Sequence, residues 1–147
     1  MRRVAVYGQD SNEKKVIVKE LEALKRYKLM EATLSMPSFL LFNDGREPPY
    51  YTASLQILVL NLNNETTESI ASLERNYHPC DFSRPVLLLV YGSNPAHLEQ
   101  LNPYLNAHIR LHRIENLEKI NTDAILYQLD SLSSQYYDNK NDPVIFK

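Results

Sequence analysis

Hydrophobic residues in this chain fall into two kinds of run, and the two kinds alternate. Continuous apolar stretches stand at Val4-Ala5-Val6-Tyr7, at Leu55-Gln56-Ile57-Leu58-Val59-Leu60-Asn61-Leu62 and from Pro85 to Tyr91. Elsewhere, apolar positions recur at helical spacing among charged ones. The first kind reads as strand, the second as amphipathic helix. Arg2 to Tyr7 is thus expected as a strand, and Glu13 to Tyr27 as a helix with Ile17, Leu21 and Leu24 on its apolar face. Leu29 to Ser35 alternates as a second strand would, and Pro37 ends it. Ser38 to Ser54 joins an apolar Phe39-Leu40-Leu41-Phe42, a turn signal at Asn43-Asp44-Gly45 and a stop at Pro48-Pro49. A hairpin or ordered loop is expected there.

Beyond the strand Leu55 to Leu62, the polar run Asn63 to Thr67 caps a helix carrying Ile70, Leu73 and Tyr77, closed by His78-Pro79. Pro85 to Tyr91 is the next strand, and Gly92-Ser93-Asn94-Pro95 turns into a helix with Leu98, Leu101 and Leu105. His108 to Ile114 reads as a short strand. Asn121 or Thr122 caps a last helix with Ile125, Leu129 and Leu132. Strands that are apolar on both faces, alternating with helices, predict an α/β three-layer sandwich: a mostly parallel sheet with helices on both sides. The domain is expected over residues 1–132, with a polar C-terminal tail over 133–147.

Composition narrows the function classes. The 147 residues suffice for one domain with a sizeable core. With 16 basic and 18 acidic residues there is no electrostatic footprint for nucleic acid or a membrane surface. No apolar run approaches a membrane span, and no signal-peptide pattern opens the chain. Cys80 has no second cysteine to pair with, which fits a reducing, intracellular compartment. The sequon Asn64-Glu65-Thr66 then has no glycosylation machinery to meet.

The loop after the first strand is the most suggestive local feature. Gly8-Gln9-Asp10-Ser11-Asn12-Glu13-Lys14-Lys15 stands where a phosphate-binding loop would carry G-x-x-x-x-G-K-[ST]. Gly8 and Lys14 fit that pattern. Glu13 replaces the second glycine, bringing bulk and negative charge where a cradle needs bare backbone N–H groups. Lys15 replaces the hydroxyl that would hold Mg²⁺. A plain strand, turn and capped helix fits the same residues, with Asp10-Ser11-Asn12-Glu13 as a D-x-x-E capping box and Lys14 as a solvent-facing cation. Either way, no nucleotide triphosphate and no cofactor is expected.

In parallel sheets ligands bind beyond the carboxyl ends of the strands. Those ends carry Gly8, Gln9 and Asp10; Asn61, Asn63 and Asn64; Tyr91, Gly92, Ser93 and Asn94; and His112, Arg113 and Glu115. Tyr91-Gly92-Ser93-Asn94 lacks the lysine and aspartate of a guanine-reading motif. Asn61 stands where a phosphate-receiving aspartate would follow Val59-Leu60, and an amide cannot form an acyl phosphate. His78, His97, His108 and His112 make no metal set: in a strand, positions 108 and 112 share a face but lie about 13 Å apart. Cys80 reads as a buried or incidental thiol. No catalytic residue and no metal site is expected. A catalyst built on Asp10, His112 or Asn94 ranks last, because no acid–base pair can be assembled.

With this order of elements, the chain resembles a small GTPase domain without its switches. Leu55 to Leu62, the helix start Glu68-Ser69-Ile70 and the strand within Ser83 to Gly92 are similar to the GTPase segment from the fourth strand to the fifth. The strand that carries D-x-x-G in active relatives has no counterpart, since Tyr50-Tyr51-Thr52 leads directly into Leu55. The degenerate first loop, the second strand ending at Leu34-Ser35-Met36-Pro37, the strand end at Val59-Leu60-Asn61-Leu62 and the single last helix resemble the pseudo-GTPases of the inner kinetochore. The resemblance implies a degenerate G-domain topology and a nucleotide-free scaffold. It also implies helical partner subunits in a multiprotein complex, in the nucleus or, failing that, the cytoplasm. The alternative is an atypical receiver-like regulatory domain that acts by protein–protein contact without phosphorylation. A helix at Ser38–Ser54 and a wholly parallel sheet would mark it.

A scaffold needs a partner surface. The candidates are Phe39, Phe42, Tyr50 and Tyr51 in the middle loop, and Tyr136, Tyr137 and Phe146 in the tail. Exposed aromatics favour interfaces. Core packing is the equal alternative for each ring, and terminal disorder for the tail.

Overall fold

The computed structural model describes residues 2–31 and 55–140. Among these residues five strands form one sheet: β1 (Arg2–Gly8), β2 (Tyr27–Glu31), β3 (Leu55–Asn61), β4 (Val86–Tyr91) and β5 (Ile109–Arg113). Their order is β2-β1-β3-β4-β5, and every pairing is parallel. This is one of the two common doubly wound orders, and it leaves a topological switch point between β1 and β3. The α/β sandwich expected from the apolar runs is what the chain forms.

Helices α1 (Asn12–Glu22) and α5 (Thr122–Lys140) supply the core on one side of the sheet. Ile17, Val18 and Leu21 of α1 and Ile125, Leu126, Leu129 and Leu132 of α5 bury against Val4, Val6, Ile57, Val59, Leu87 and Leu89. The other side is covered by α2 (Thr67–Ala71), α3 (Leu73–Asn76), α4 (Pro95–Gln100) and a 3₁₀ turn at Asn102–Tyr104. There Ile70, Leu73, Tyr77 and Leu101 meet Ala5, Tyr7, Leu58, Leu60, Leu88 and Val90. Residues 86–91 of β4 are buried throughout, as a central strand covered on both faces requires. Each such Leu or Val contributes about 1.5–3 kcal/mol by leaving water. Gln56 is the polar exception in β3, and its amide is fully used. It donates to the carbonyls of Asp81 at 2.7 Å and Pro85 at 3.3 Å, and accepts from the Asp81 amide at 2.7 Å.

Several expected boundaries move. Helix α1 ends at Glu22, not Tyr27, because Lys25 takes a left-handed φ of 55° and Tyr27 opens β2. The helix carrying Ile70, Leu73 and Tyr77 is broken at Ser72 into α2 and α3, with Tyr77 as the C-cap. Leu105 lies past the 3₁₀ turn. The last helix does not stop at Leu132: α5 runs to Lys140, so Tyr136 and Tyr137 belong to a helix and not to an irregular tail. Phe39, Phe42, Tyr50, Tyr51 and Phe146, and the loop expected at Ser38–Ser54, lie outside the described residues. No described helix is long and apolar enough to cross a membrane.

Candidate functional site

The site lies at the carboxyl ends of β1, β3 and β4, over the switch point. Three residues, Gln9 to Ser11, join β1 to α1. Gly8 ends β1 with φ of 138°, and a Cβ there would sit 2.6 Å from the Val59 carbonyl oxygen. The glycine is therefore required by the contact between neighbouring strands, whatever the loop binds. Ser11, not Asp10, is the N-cap of α1, and its Oγ accepts from the Lys14 amide at 3.1 Å. The expected D-x-x-E box does not form, because the cap falls one residue later and places Lys14 at its third helical position. Glu13 is not the capping partner; its side chain lines the cleft.

Lys14 corrects another expectation. It is not a solvent-facing cation but is buried, at 1% exposure. Its Nζ folds back to the Gly8 carbonyl at 3.4 Å and to Asp10 Oδ1 at 3.6 Å. It works as a clamp on its own loop. Lys15 is exposed. Because α1 begins at Asn12, position 13 already lies in the first turn of the helix.

At the end of β3, Asn61 Oδ1 accepts from the Asn63 amide at 3.0 Å, a local turn that an asparagine favours. Asn63 Oδ1 in turn accepts from the Ser93 amide at 3.1 Å, and the Leu62 amide donates to the Tyr91 carbonyl at 2.8 Å. Gly92, at φ of 100°, allows this approach, since a Cβ would lie 3.1 Å from Asn61 Oδ1. Asn61 thus shapes the turn, and Asn63 and the Leu62 amide hold the loop after β3 against the end of β4.

Together these elements enclose a cleft of about 400 Å³ lined by Gln9, Asp10, Ser11, Glu13, Val59, Asn61, Asn64, Glu65, Tyr77 and Tyr91. The Tyr77 hydroxyl donates to Glu65 Oε1 at 2.6 Å, and Ser69 Oγ donates to Glu65 Oε2 at 2.7 Å. Burial, then the hydrogen bond to Glu65, pushes the Tyr77 phenol well above its ordinary value. Burial likewise raises Tyr91; the Ser11 side chain works against the shift and the charge of Glu13 adds to it. Among the described residues, the lining is rich in acceptors and contains no lysine, arginine or histidine.

The structure gathers Gln9, Asp10, Asn61, Asn64 and Tyr91 from the strand-end residues that sequence singled out. His112, Arg113 and Glu115 stay outside the cleft. Burial lowers the His112 ring from its ordinary value. Glu65, Tyr77 and Ser11 were not anticipated as cleft residues. Ser11 had a signal, since it directly follows a strand-end loop; the pairing of Tyr77 with Glu65 spans two elements and had none. Cys80 is buried, and burial followed by Asp81 pushes its thiol far up despite the opposing charge of Arg84. No group of three metal-ligating side chains occurs among the described residues.

No family model matches the chain, and no curated protein does. A response regulator CheY-like protein from Mesorhizobium loti, known from a crystal structure, is similar in outline, with a TM-score of 0.46 and 18% identity. The match covers 88% of this chain and 96% of that one.

Proposed function

We propose that this chain is a receiver-like regulatory domain that works by protein–protein contact and takes no phosphoryl group. The observation that carries the reading is Asn61. It ends the third strand of a wholly parallel β2-β1-β3-β4-β5 sheet, where a receiver would present its phospho-accepting carboxylate. Its side-chain oxygen is spent on the Asn63 amide. An amide in that place has no route to an acyl phosphate. The carboxylates of Asp10, Glu13 and Glu65 around the cleft would repel an incoming phosphate dianion.

The test is incubation of the whole chain with acetyl phosphate, followed by intact mass. The mass stays unchanged if the reading holds, and gain of one phosphoryl group sinks it. Recovery of a stoichiometric protein partner on purification from the native source addresses the other half.

A second reading keeps the degenerate G-domain scaffold, of which centromere protein M is the family's kinetochore example. It is favoured by Lys14, which keeps the lysine position of a phosphate loop and folds back onto the loop's own carbonyl. On this reading helical subunits of a nuclear complex would cover the domain. Titration of a fluorescent GTP analogue with Mg²⁺ bears on it, and micromolar affinity would overturn it.

A further inference from the structure

We propose that the cleft between the ends of β1 and β3 is a binding site for an organic cation, a guanidinium or primary ammonium on a short alkyl stem. Four observations converge. The cleft lies over the switch point of the sheet, where this class of fold takes its ligands. Its volume of about 400 Å³ is at the small end of the usual range for ligand pockets, roughly 300–1,000 Å³. One wall is formed by Tyr77 and Tyr91, largely buried side chains that hold it in shape without a ligand.

The fourth is the imbalance of charge. Among the described residues, Asp10, Glu13 and Glu65 line the cleft and no cationic side chain does. Lys14, beneath the loop, lies 3.6 Å from Asp10 and offsets that carboxylate. Glu65 is held by two hydroxyl donors, Tyr77 and Ser69. Among the described residues, Glu13 has neither a cation nor a cap to serve. A planar guanidinium would meet this arrangement with several donors at once. The same chemistry arrives either as a free small amine or as an arginine side chain of a partner protein. The inference deepens the regulatory reading above by naming what its cleft recognises.

The experiment is a titration of the ¹⁵N-labelled full chain, followed by amide shifts, with N-acetyl-argininamide and its neutral isostere N-acetyl-citrullinamide. The arginine compound is expected to shift Gln9, Asp10, Ser11 and Asn64 saturably in the millimolar range, and the citrulline compound to shift none of them. Glu13→Gln, a substitution at a half-buried surface residue, should weaken binding by about fivefold. Absent shifts, equal shifts with both compounds, or unchanged affinity in Glu13→Gln would each overturn the proposal. Agmatine and a Gly-Arg-Gly peptide amide separate the two sources, the tighter ligand marking the natural one. Failure here leaves the acetyl phosphate result untouched, so the two readings fall separately.

Discussion

The Tyr77 hydroxyl sits 2.6 Å from Glu65 Oε1, joining the end of α3 to the loop that leads into α2. The bond closes one wall of the cleft and also couples the fold to alkaline pH. The native state holds the Tyr77 proton where the unfolded chain, with an ordinary phenol near 10.0, has released it. Between those two ranges the unfolded state binds fewer protons, so stability falls as pH rises. Urea midpoints should be flat over about pH 7 to 8 and decline from about pH 9, where the unfolded chain loses the Cys80 proton, and further above about pH 10, where it loses that of Tyr77. Tyr77→Phe should lose about 1.5–3 kcal/mol at neutral pH through the missing hydrogen bond to a charged group. It should also flatten part of the alkaline decline, with Cys80 and Tyr91 retaining the rest. A variant with an undiminished alkaline slope would contradict this assignment.

Gly8→Ala should destabilise strongly. The backbone conformation alone costs an alanine about 1–3 kcal/mol. The contact with the Val59 carbonyl adds to it, because that atom belongs to the sheet and cannot swing away. Thermal and chemical denaturation both read the loss. A near-neutral Gly8→Ala would mean that β1 ends differently.

For Lys14, charge and stem can be separated. Lys14→Met keeps most of the apolar stem and removes a buried ammonium whose desolvation offsets its hydrogen bond to Gly8. Stability should stay within about 1 kcal/mol of the parent. Lys14→Ala deletes three methylenes at about 0.8 kcal/mol each and should cost roughly 2 kcal/mol. If methionine proved as damaging as alanine, the ammonium and not the packing would be what the loop needs.

Cys80 should be inert in the folded protein. Its thiol is buried and held protonated, and the thiolate is the reactive form. Labelling by a thiol reagent should proceed only as fast as the chain opens, and speed up in urea. Rapid stoichiometric labelling of the native protein would refute this.

Sequence made the centre of the sheet plain and blurred its margins, for identifiable reasons. Residues 55–60 and 86–91 are buried on both faces, so an unbroken apolar run had one interpretation. The end of α1 was harder. Leu24 continues the helical spacing yet is 41% exposed, because the turn at Lys25 intervenes without a glycine to announce it. Asp10 and Ser11 are both good caps, and only the direction of the Ser11 oxygen decides between them. Polar composition hid the last turns of α5, since serine, aspartate and asparagine lower helix propensity without ending a helix. The cleft was half legible. Strand ends can be found from the apolar runs, whereas Tyr77 reaches Glu65 only after the chain has turned twice.

The contact between Gly8 and Val59 has an evolutionary corollary. It pins the floor of the cleft to the spacing of the sheet itself, so the floor cannot drift without loss of the fold. The rim is free of that obligation: Gln9, Asp10, Glu13 and Asn64 project from loops and a first helical turn. Substitutions at those positions alter what the rim presents, while every strand stays where it is.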